Sequence, residues 1–337
     1  MEKKYRLITR DDFDGLVCAV LLKKLDLVDD ILFVHPRDMQ HNRVMVTSSD
    51  ISANLPYVPG VYMAFDHHLS ESRRVGPHTN FICVPEAPSA AQVIYDYFNM
   101  GEKFPGVFEE ILQALNKADT ADFTAQDILN PQGWVLFNFI LDPKTGFTRF
   151  HDFQTGHEDL VRLLIHSVEG MSIDDILNLP DVQERVMLYQ TYQDHFKDQI
   201  ERCATVCQNL VVVDLREEEI IYPGNRFLVY ALYPNCNLSL MIEKDTKSER
   251  ITFSLGRSIL NRTSTVDAGA VMAEYNGGGH TGAGTCQSTD FDVEKIKMDL
   301  IAAILMASKK TDTGELSDEY SRVSGQKDIQ HIRDTRS

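Results

Sequence analysis

The run Phe65-Asp66-His67-His68 sets an acid and two adjacent histidines directly behind the apolar-leaning stretch Tyr62-Met63-Ala64-Phe65. Asp and His are costly to bury or crowd unless each finds a partner, and a bound metal supplies partners to all three at once. Asp12 and Asp14 stand two apart in Arg10-Asp11-Asp12-Phe13-Asp14-Gly15. In an irregular loop two such carboxylates can flank one ion or reach two, and Gly15 would let the backbone approach a ligand closely. In isolation these acids read as a helix cap, because Asp suits both the cap and the positive end of the helix dipole. Asp50 in isolation reads the same way. Asp119 closes an amphipathic helical pattern, where an acid meets the unfavourable end of the dipole. That placement invites a functional explanation, with Asp122 as the second choice. Carboxylate and imidazole ligands together suit a divalent ion such as Mn2+, with Mg2+ as the alternative, better than a structural zinc that prefers thiolates. One or two such ions could clamp a phosphoryl group and lower the pKa of a bound water.

These residues need a scaffold that gathers them. Tyr5 to Thr9, Ile31 to His35, Arg43 to Thr47 and Val61 to Phe65 read as short strands, with a helix from Leu16 to about Leu25. The alternation predicts a parallel α/β sheet of the Rossmann-like kind, whose functional groups collect on loops at the carboxyl ends of strands. Asp12, Asp14, Asp50, Asp66, His67 and His68 are all expected at such ends. Ser89 to Phe98 and Val107 to Ala118 have helical spacing, and Asp181 to Cys207 reads as one long amphipathic helix that serves as a linker. Beyond it the pattern changes to strands at Leu210 to Leu215, Arg226 to Leu232, Leu238 to Glu243 and Ile251 to Leu255, then a helix from Val293 to Ala307. The expected organisation is an N-terminal α/β domain over 1–180, a helical linker over 181–207, a smaller α+β domain over 208–308 and a flexible tail over 309–337.

The second domain carries its own constellation, Leu255-Gly256-Arg257-Ser258 and Asn276-Gly277-Gly278-Gly279-His280. Successive glycines let backbone amides turn toward an anion, and His280 adds a donor that can be cationic. A Gly-rich turn alone reads as a plain loop. Arg257 at a strand end shifts that balance, since a guanidinium holds phosphate in a fixed fork, and Arg262 lies close in sequence. Trp134 with Phe137, Phe139 and Ile140 reads as core packing.

A net charge of −17 over 337 residues excludes broad electrostatic binding to duplex nucleic acid. An anionic substrate would need local positive charge, and a bound divalent ion is the most direct source. No apolar run approaches the ~20 residues that span a bilayer, and no signal-peptide core follows the charged start. The six scattered cysteines form neither a disulfide framework nor a paired zinc pattern, so the chain reads as cytoplasmic with no membrane contact.

In order along the chain, Asp12-Phe13-Asp14-Gly15, Asp50, Asp66-His67-His68 and Asp119 resemble the four motifs of the DHH phosphoesterase superfamily. Leu255-Gly256-Arg257-Ser258 and Gly277-Gly278-Gly279-His280 resemble its associated C-terminal substrate-binding domain. The resemblance covers roughly residues 5 to 308 and is nearest the branch of nanoRNases, pAp phosphatases and exopolyphosphatase-related proteins. It implies a cleft between two domains, with Asp12, Asp14, Asp50, His67 and Asp119 as metal ligands and Asp50 as the bridge. It further implies that Asp66 orients His67, that His68 faces the phosphate, and that Arg257, Ser258, His280 and the amides of Gly277, Gly278 and Gly279 hold a substrate phosphate. Family members commonly place a histidine shortly before the paired acids, where this chain has Ile8, Thr9 and Arg10. Arg10 would offer a fixed positive charge instead. The expected activity is metal-dependent hydrolysis of a small phosphate-rich molecule or short single-stranded oligonucleotide, such as a linear dinucleotide or pAp, and a homodimer is allowed. An exopolyphosphatase is the first alternative, and a catalytically weakened nucleotide-binding or regulatory protein the second.

Overall fold

In the computed structural model, which describes residues 3–149, 153–244, 250–289 and 293–324, five strands build the first sheet. They are β1 Tyr5–Thr9, β2 Val28–Phe33, β3 Asp50–Ala53, β4 Met63–Asp66 and β5 Phe81–Cys83. Their order is β2-β1-β3-β4-β5, and every neighbouring pair runs parallel. Leu7 and Ile8 of β1 are fully buried, as a parallel strand covered on both faces requires. The helix Phe13–Lys24 is buried continuously from Phe13 to Leu22. It packs against the helices Ala90–Tyr97, Glu109–Asp119 and His157–Ser167, which explains why it has no polar face. The strand order reverses between β1 and β3, and the crevice at the carboxyl ends of such a pair is where open α/β sheets bind ligands. Thr9 Oγ1 donates to the Ala53 carbonyl at 3.0 Å and joins the two strands at that end.

Arg43 to Thr47, expected as a strand, is not one. Val44 and Val46 pack onto a buried cluster of Ile8, Met39, Leu55 and Val58, so their alternation is satisfied by one-sided burial without a ladder. The paired strand begins later, at Asp50, whose amide donates to the Thr47 carbonyl at 3.0 Å across a turn. The register sets Asp50 level with Arg6 and Ser52 level with Ile8. Asp50 therefore stands at the amino end of the sheet, opposite to its expected position.

The second sheet has β6 Ala204–Cys207, β7 Leu210–Asp214, β8 Leu238–Lys244, β9 Ile251–Arg257, β10 Gly278–His280 and β11 Ala283–Ser288, in the order β10-β11-β9-β8-β7-β6. Here β7 and β8 pair in parallel and the other neighbours are antiparallel. Leu240, Phe253, Val266, Met272, Leu300 and Ile304 share its core. The chain divides into one compact unit of Met1–Gln199 with Ile221–Leu228, and another of Ile200–Ile220 with Val229–Ser337. The long helix spans Pro180–Cys203, and β6 takes over at Ala204. In place of a strand over Arg226 to Leu232, the segment 221–228 lies on the first unit and a helix Leu228–Leu232 follows. The last helix, Val293–Ser324, runs past the expected end at Ala307 and through part of the segment expected as a tail, while positions 325–337 lie outside the described residues. Among the described residues no helix is long and apolar enough to cross a membrane.

Candidate metal centre and active site

Three elements deliver one side chain each to a common point. Asp14 lies in the first turn of the helix Phe13–Lys24, 2% exposed. Its two oxygens accept from the amides of Ala90 at 3.0 Å and Ala91 at 2.9 Å, at the start of the helix Ala90–Tyr97. β4 ends in Asp66, so His67 emerges at the carboxyl end of the sheet. The helix Glu109–Asp119 closes on Asp119. One ligand atom from each of Asp14, His67 and Asp119 lies within 4.8 Å of the others, and His67 Nε2 is 3.2 Å from Asp119 Oδ2. His67 Nδ1 is 3.2 Å from the Ala87 carbonyl. A carbonyl can only accept, so Nδ1 carries a proton, which leaves Nε2 as the ring nitrogen that faces the cluster.

The electrostatics at this point are those of acids short of a cation. Burial lifts the Asp14 carboxyl above its usual range, with His67 opposing and Asp12 adding to the rise. Asp119 keeps 32% of its side-chain surface open, and its carboxylate lies among the charges of the cluster. Burial lifts it well above the usual range, and the charges of Asp14 and Asp12 push the same way. Beneath Asp14 the buried thiol of Cys18 is pushed far up, first by burial and then by Asp14 and Asp12. Asp66 Oδ2 at the end of β4 and Ser52 Oγ in β3 are buried with no hydrogen-bond partner among the described residues. Carboxylate oxygens, one imidazole nitrogen and an unanswered buried acceptor fit a divalent cation that takes O and N donors.

Several predicted residues take other places. Asp66 bonds His68, with Oδ1 2.7 Å from Nδ1, while the Ala87 carbonyl rather than Asp66 orients His67. The hydrogen bond to Asp66 raises the His68 pKa against the opposing effect of burial. Asp12 stands beside the cluster with both oxygens engaged. Its Oδ1 accepts from the Gly15 amide at 3.0 Å and Asn54 Nδ2 at 3.2 Å, and its Oδ2 pairs with Arg10 at 2.9 Å. Asp50 is not part of the cluster and cannot bridge ions there. It is 2% exposed at the other end of β3 and accepts from Arg6 Nε at 2.8 Å, Thr47 N at 2.6 Å and Thr47 Oγ1 at 3.0 Å. The carboxyl end of β3 is followed by Asn54, 3% exposed with φ +55°, a residue that no motif in the sequence marks. Gly15 closes the turn: a Cβ there would fall 1.9 Å from the Arg10 carbonyl oxygen. No motif marks His157 either, and its Nε2 lies 2.7 Å from the Asp11 carbonyl, holding the acidic loop from another helix.

No family model and no curated protein matches the chain. Among solved structures it is similar to a pGpG-specific phosphodiesterase, PggH from Vibrio cholerae, at 46% identity and a TM-score of 0.79, over 90% of this chain and 100% of that one. The chain belongs to the DHH phosphoesterase superfamily. It is a phosphohydrolase. It also shares its fold with an exopolyphosphatase-related protein from Bacteroides fragilis, 15% identical with a TM-score of 0.50, over 91% of this chain and 92% of that one.

The DHH-associated elements of the second unit meet at one end of its sheet. The Arg257 amide donates to the Gly282 carbonyl at 2.9 Å, and the Gly282 amide donates to His280 Nδ1 at 3.0 Å. Most of the glycines here answer to packing. A Cβ at Gly277 would fall 2.1 Å from the Thr285 carbonyl oxygen, and one at Gly279 would fall 2.2 Å from that of Ala283. Gly278 has nothing within 4 Å of an added Cβ, so its missing side chain leaves open backbone that packing does not explain. Ser258 is 3% exposed, and its hydroxyl accepts from the amides of Leu260 and Asn261 at 3.2 and 2.9 Å. As an acceptor that hydroxyl builds a turn.

Proposed function

We propose that this DHH protein hydrolyses linear dinucleotides of the pGpG type to mononucleotides in the cytoplasm, with Mn2+ as the preferred ion and Mg2+ as a substitute. The observation that carries this reading is the 46% identity over the full length of a pGpG-specific phosphodiesterase. The exopolyphosphatase reading rests on a relative only 15% identical. The reading as a weakened binding protein is disfavoured by the joined Asp14, His67 and Asp119 cluster.

Asp14, His67 Nε2 and Asp119 would hold one divalent ion, which when bound supplies Lewis-acid charge and an acidified water for attack on phosphorus. The Ala87 carbonyl keeps His67 in the tautomer that ligation needs. Asp66 orients His68 and favours its cationic form, which suits donation from Nε2 to a non-bridging oxygen as charge builds on the phosphoryl group. Arg10, fixed against Asp12, contributes permanent positive charge where family members have a histidine. This supports a centre of one ion and one guanidinium. Arg257, His280 and the open backbone at Gly278 are assigned to a phosphate of the bound substrate.

The test is incubation of the full chain with pGpG, with Mn2+ or after chelation. We expect two pG released per pGpG, lost with chelator and in His67→Ala. Absence of metal-dependent pG release would refute the reading, and faster turnover of polyphosphate than of pGpG would transfer it to the exopolyphosphatase alternative.

A further inference from the structure

The first unit holds a cavity that none of the metal-cluster residues lines. It measures about 300 Å³ and follows the helix Glu109–Asp119 from Glu110 to Ala118, with Phe123, Gln132 and Trp134 completing its wall. That volume is at the small end of ligand pockets, with room for one ring system and not for a whole nucleotide.

Trp134 is the one tryptophan of the chain, and core packing accounts for only part of it. Phe137, Phe139 and Ile140 are at most 1% exposed, whereas Trp134 stays half-buried. Its indole stacks on Phe13, with centroids 6.0 Å apart and an interplanar angle of 9°, and meets Phe137 edge-on at 5.2 Å. Neither phenyl ring lines the cavity, so the cavity meets a part of the indole that this packing leaves open. Indole Nε1 donates to Glu110 Oε1 at 2.7 Å. Ring and carboxylate are thereby fixed to one another.

The polar groups of the wall select among planar ligands. Lys117, its one cation, is already paired with Asp127 at 2.9 Å, so the cavity keeps no unpaired positive charge for a phosphate. Glu110 Oε2 has no hydrogen-bond partner among the described residues and can only accept. Guanine presents adjacent N1–H and N2–H donors that a carboxylate can take up, while adenine turns a bare N1 acceptor to the same place. A flat aromatic surface with a fixed acceptor at its edge is how proteins stack a base and read its Watson–Crick edge.

We infer that this cavity binds a guanine base, stacked on Trp134 and read on its N1–H and N2–H edge by Glu110. The inference deepens the dinucleotide reading above, on which the choice of guanine partly rests. Along the chain the cavity adjoins the catalytic motifs, since Ala118 precedes Asp119 and Phe13 stands between Asp12 and Asp14. The base belongs either to a pGpG-type substrate or to a free guanine nucleotide. Both present the same edge.

The experiment titrates GMP, IMP and AMP into the metal-free full chain and follows the fluorescence of Trp134, with saturation-transfer NMR of the nucleotide as a second readout. GMP should quench the indole and bind about tenfold tighter than AMP, the worth of one charge-assisted hydrogen bond, with IMP, which lacks the N2 amine, in between. Glu110→Gln should bring GMP down to the level of AMP, and Ala114→Leu, which fills the cavity, should abolish the binding of all three nucleotides. Both variants are checked by thermal unfolding. GMP bound no better than AMP, or bound by both variants as by wild type, overturns the pocket. In pGpG hydrolysis with Mn2+, a KM raised about tenfold in Glu110→Gln at unchanged kcat assigns the base to the substrate, and an unchanged KM assigns it to a free nucleotide. Wild type that does not cleave pGpG overturns the dinucleotide reading, and the GMP titration still decides the pocket.

Discussion

The two ends of the five-stranded sheet treat buried acids in opposite ways. Asp50 at the amino end and Asp14 at the carboxyl end are equally hidden, each 2% exposed. Asp50 is answered by the Arg6 guanidinium and by the amide and hydroxyl of Thr47. Asp14 receives two amides but shares its surroundings with Asp12 and Asp119, and burial and crowding push its carboxyl and that of Asp119 upward. An acid with a complete set of fixed donors holds the fold together. Acids that crowd one another without enough cations keep a place for a ligand, so the partners and not the burial separate structural acids from functional ones.

The sharpest way to break this contrast is to neutralise one acid at each end. Asp14→Asn should lower pGpG turnover at least about a thousandfold, as removal of a ligand or catalytic group does. Its thermal midpoint should change little, because relief of a crowded charge offsets the one amide hydrogen bond that the Asn nitrogen cannot accept, and retained turnover would erase the contrast. Asp50→Ala should do the reverse. We expect kcat to stay within about threefold and urea unfolding to show a loss of about 2 kcal/mol, from charged hydrogen bonds broken around a buried carboxylate. Asn54→Ala probes the residue that follows β3 at the carboxyl end. Freeing Asp12 from its 3.2 Å bond should lower kcat about tenfold, as loss of an outer-shell partner does, with little change in stability.

The smallest effect is expected in the second unit, at an acid of the answered kind. Burial alone would raise the Asp214 carboxyl, but hydrogen bonds from Arg216 and Lys297, both at 2.7 Å, outweigh it and hold the group down to about 2. A depressed folded-state pKa contributes stability above the ordinary carboxylate range and loses it as pH falls through about 2. Asp214→Asn should therefore cost about 1 kcal/mol at neutral pH, after discounting for solvent screening. The difference from wild type should close as pH drops from about 4 toward 2.

Local pattern was enough to pick out the residues of the candidate cluster. Asp66-His67-His68 and Asp12-Phe13-Asp14 lie within single strand-to-helix connections, where neighbours in sequence are neighbours in space. Asp119 stands out by its awkward position at a helix end, and it lies in the cluster. What failed depended on register. Asp50 seemed to end a strand because Arg43 to Thr47 alternates, but ladder pairing with Arg6 decides which end it occupies. The Ala87 carbonyl that holds His67, the Asn54 amide that holds Asp12 and the Arg226 brought onto the first unit are all long-range contacts. They carry no motif because a carbonyl, an amide and a lone arginine become special only through what faces them. Arg226 to Leu232 has strand-like composition, and the anchoring of 221–228 overrides it.

The contrast between the two ends of the sheet turns on where the ion binds. Titration of metal-free protein with Mn2+, followed by electron paramagnetic resonance of the free ion, should be run on wild type, His67→Ala and Asp50→Ala. We expect one tightly bound ion per chain in wild type and in Asp50→Ala, and none in His67→Ala. An ion retained by His67→Ala, or lost from a folded Asp50→Ala, would contradict that expectation.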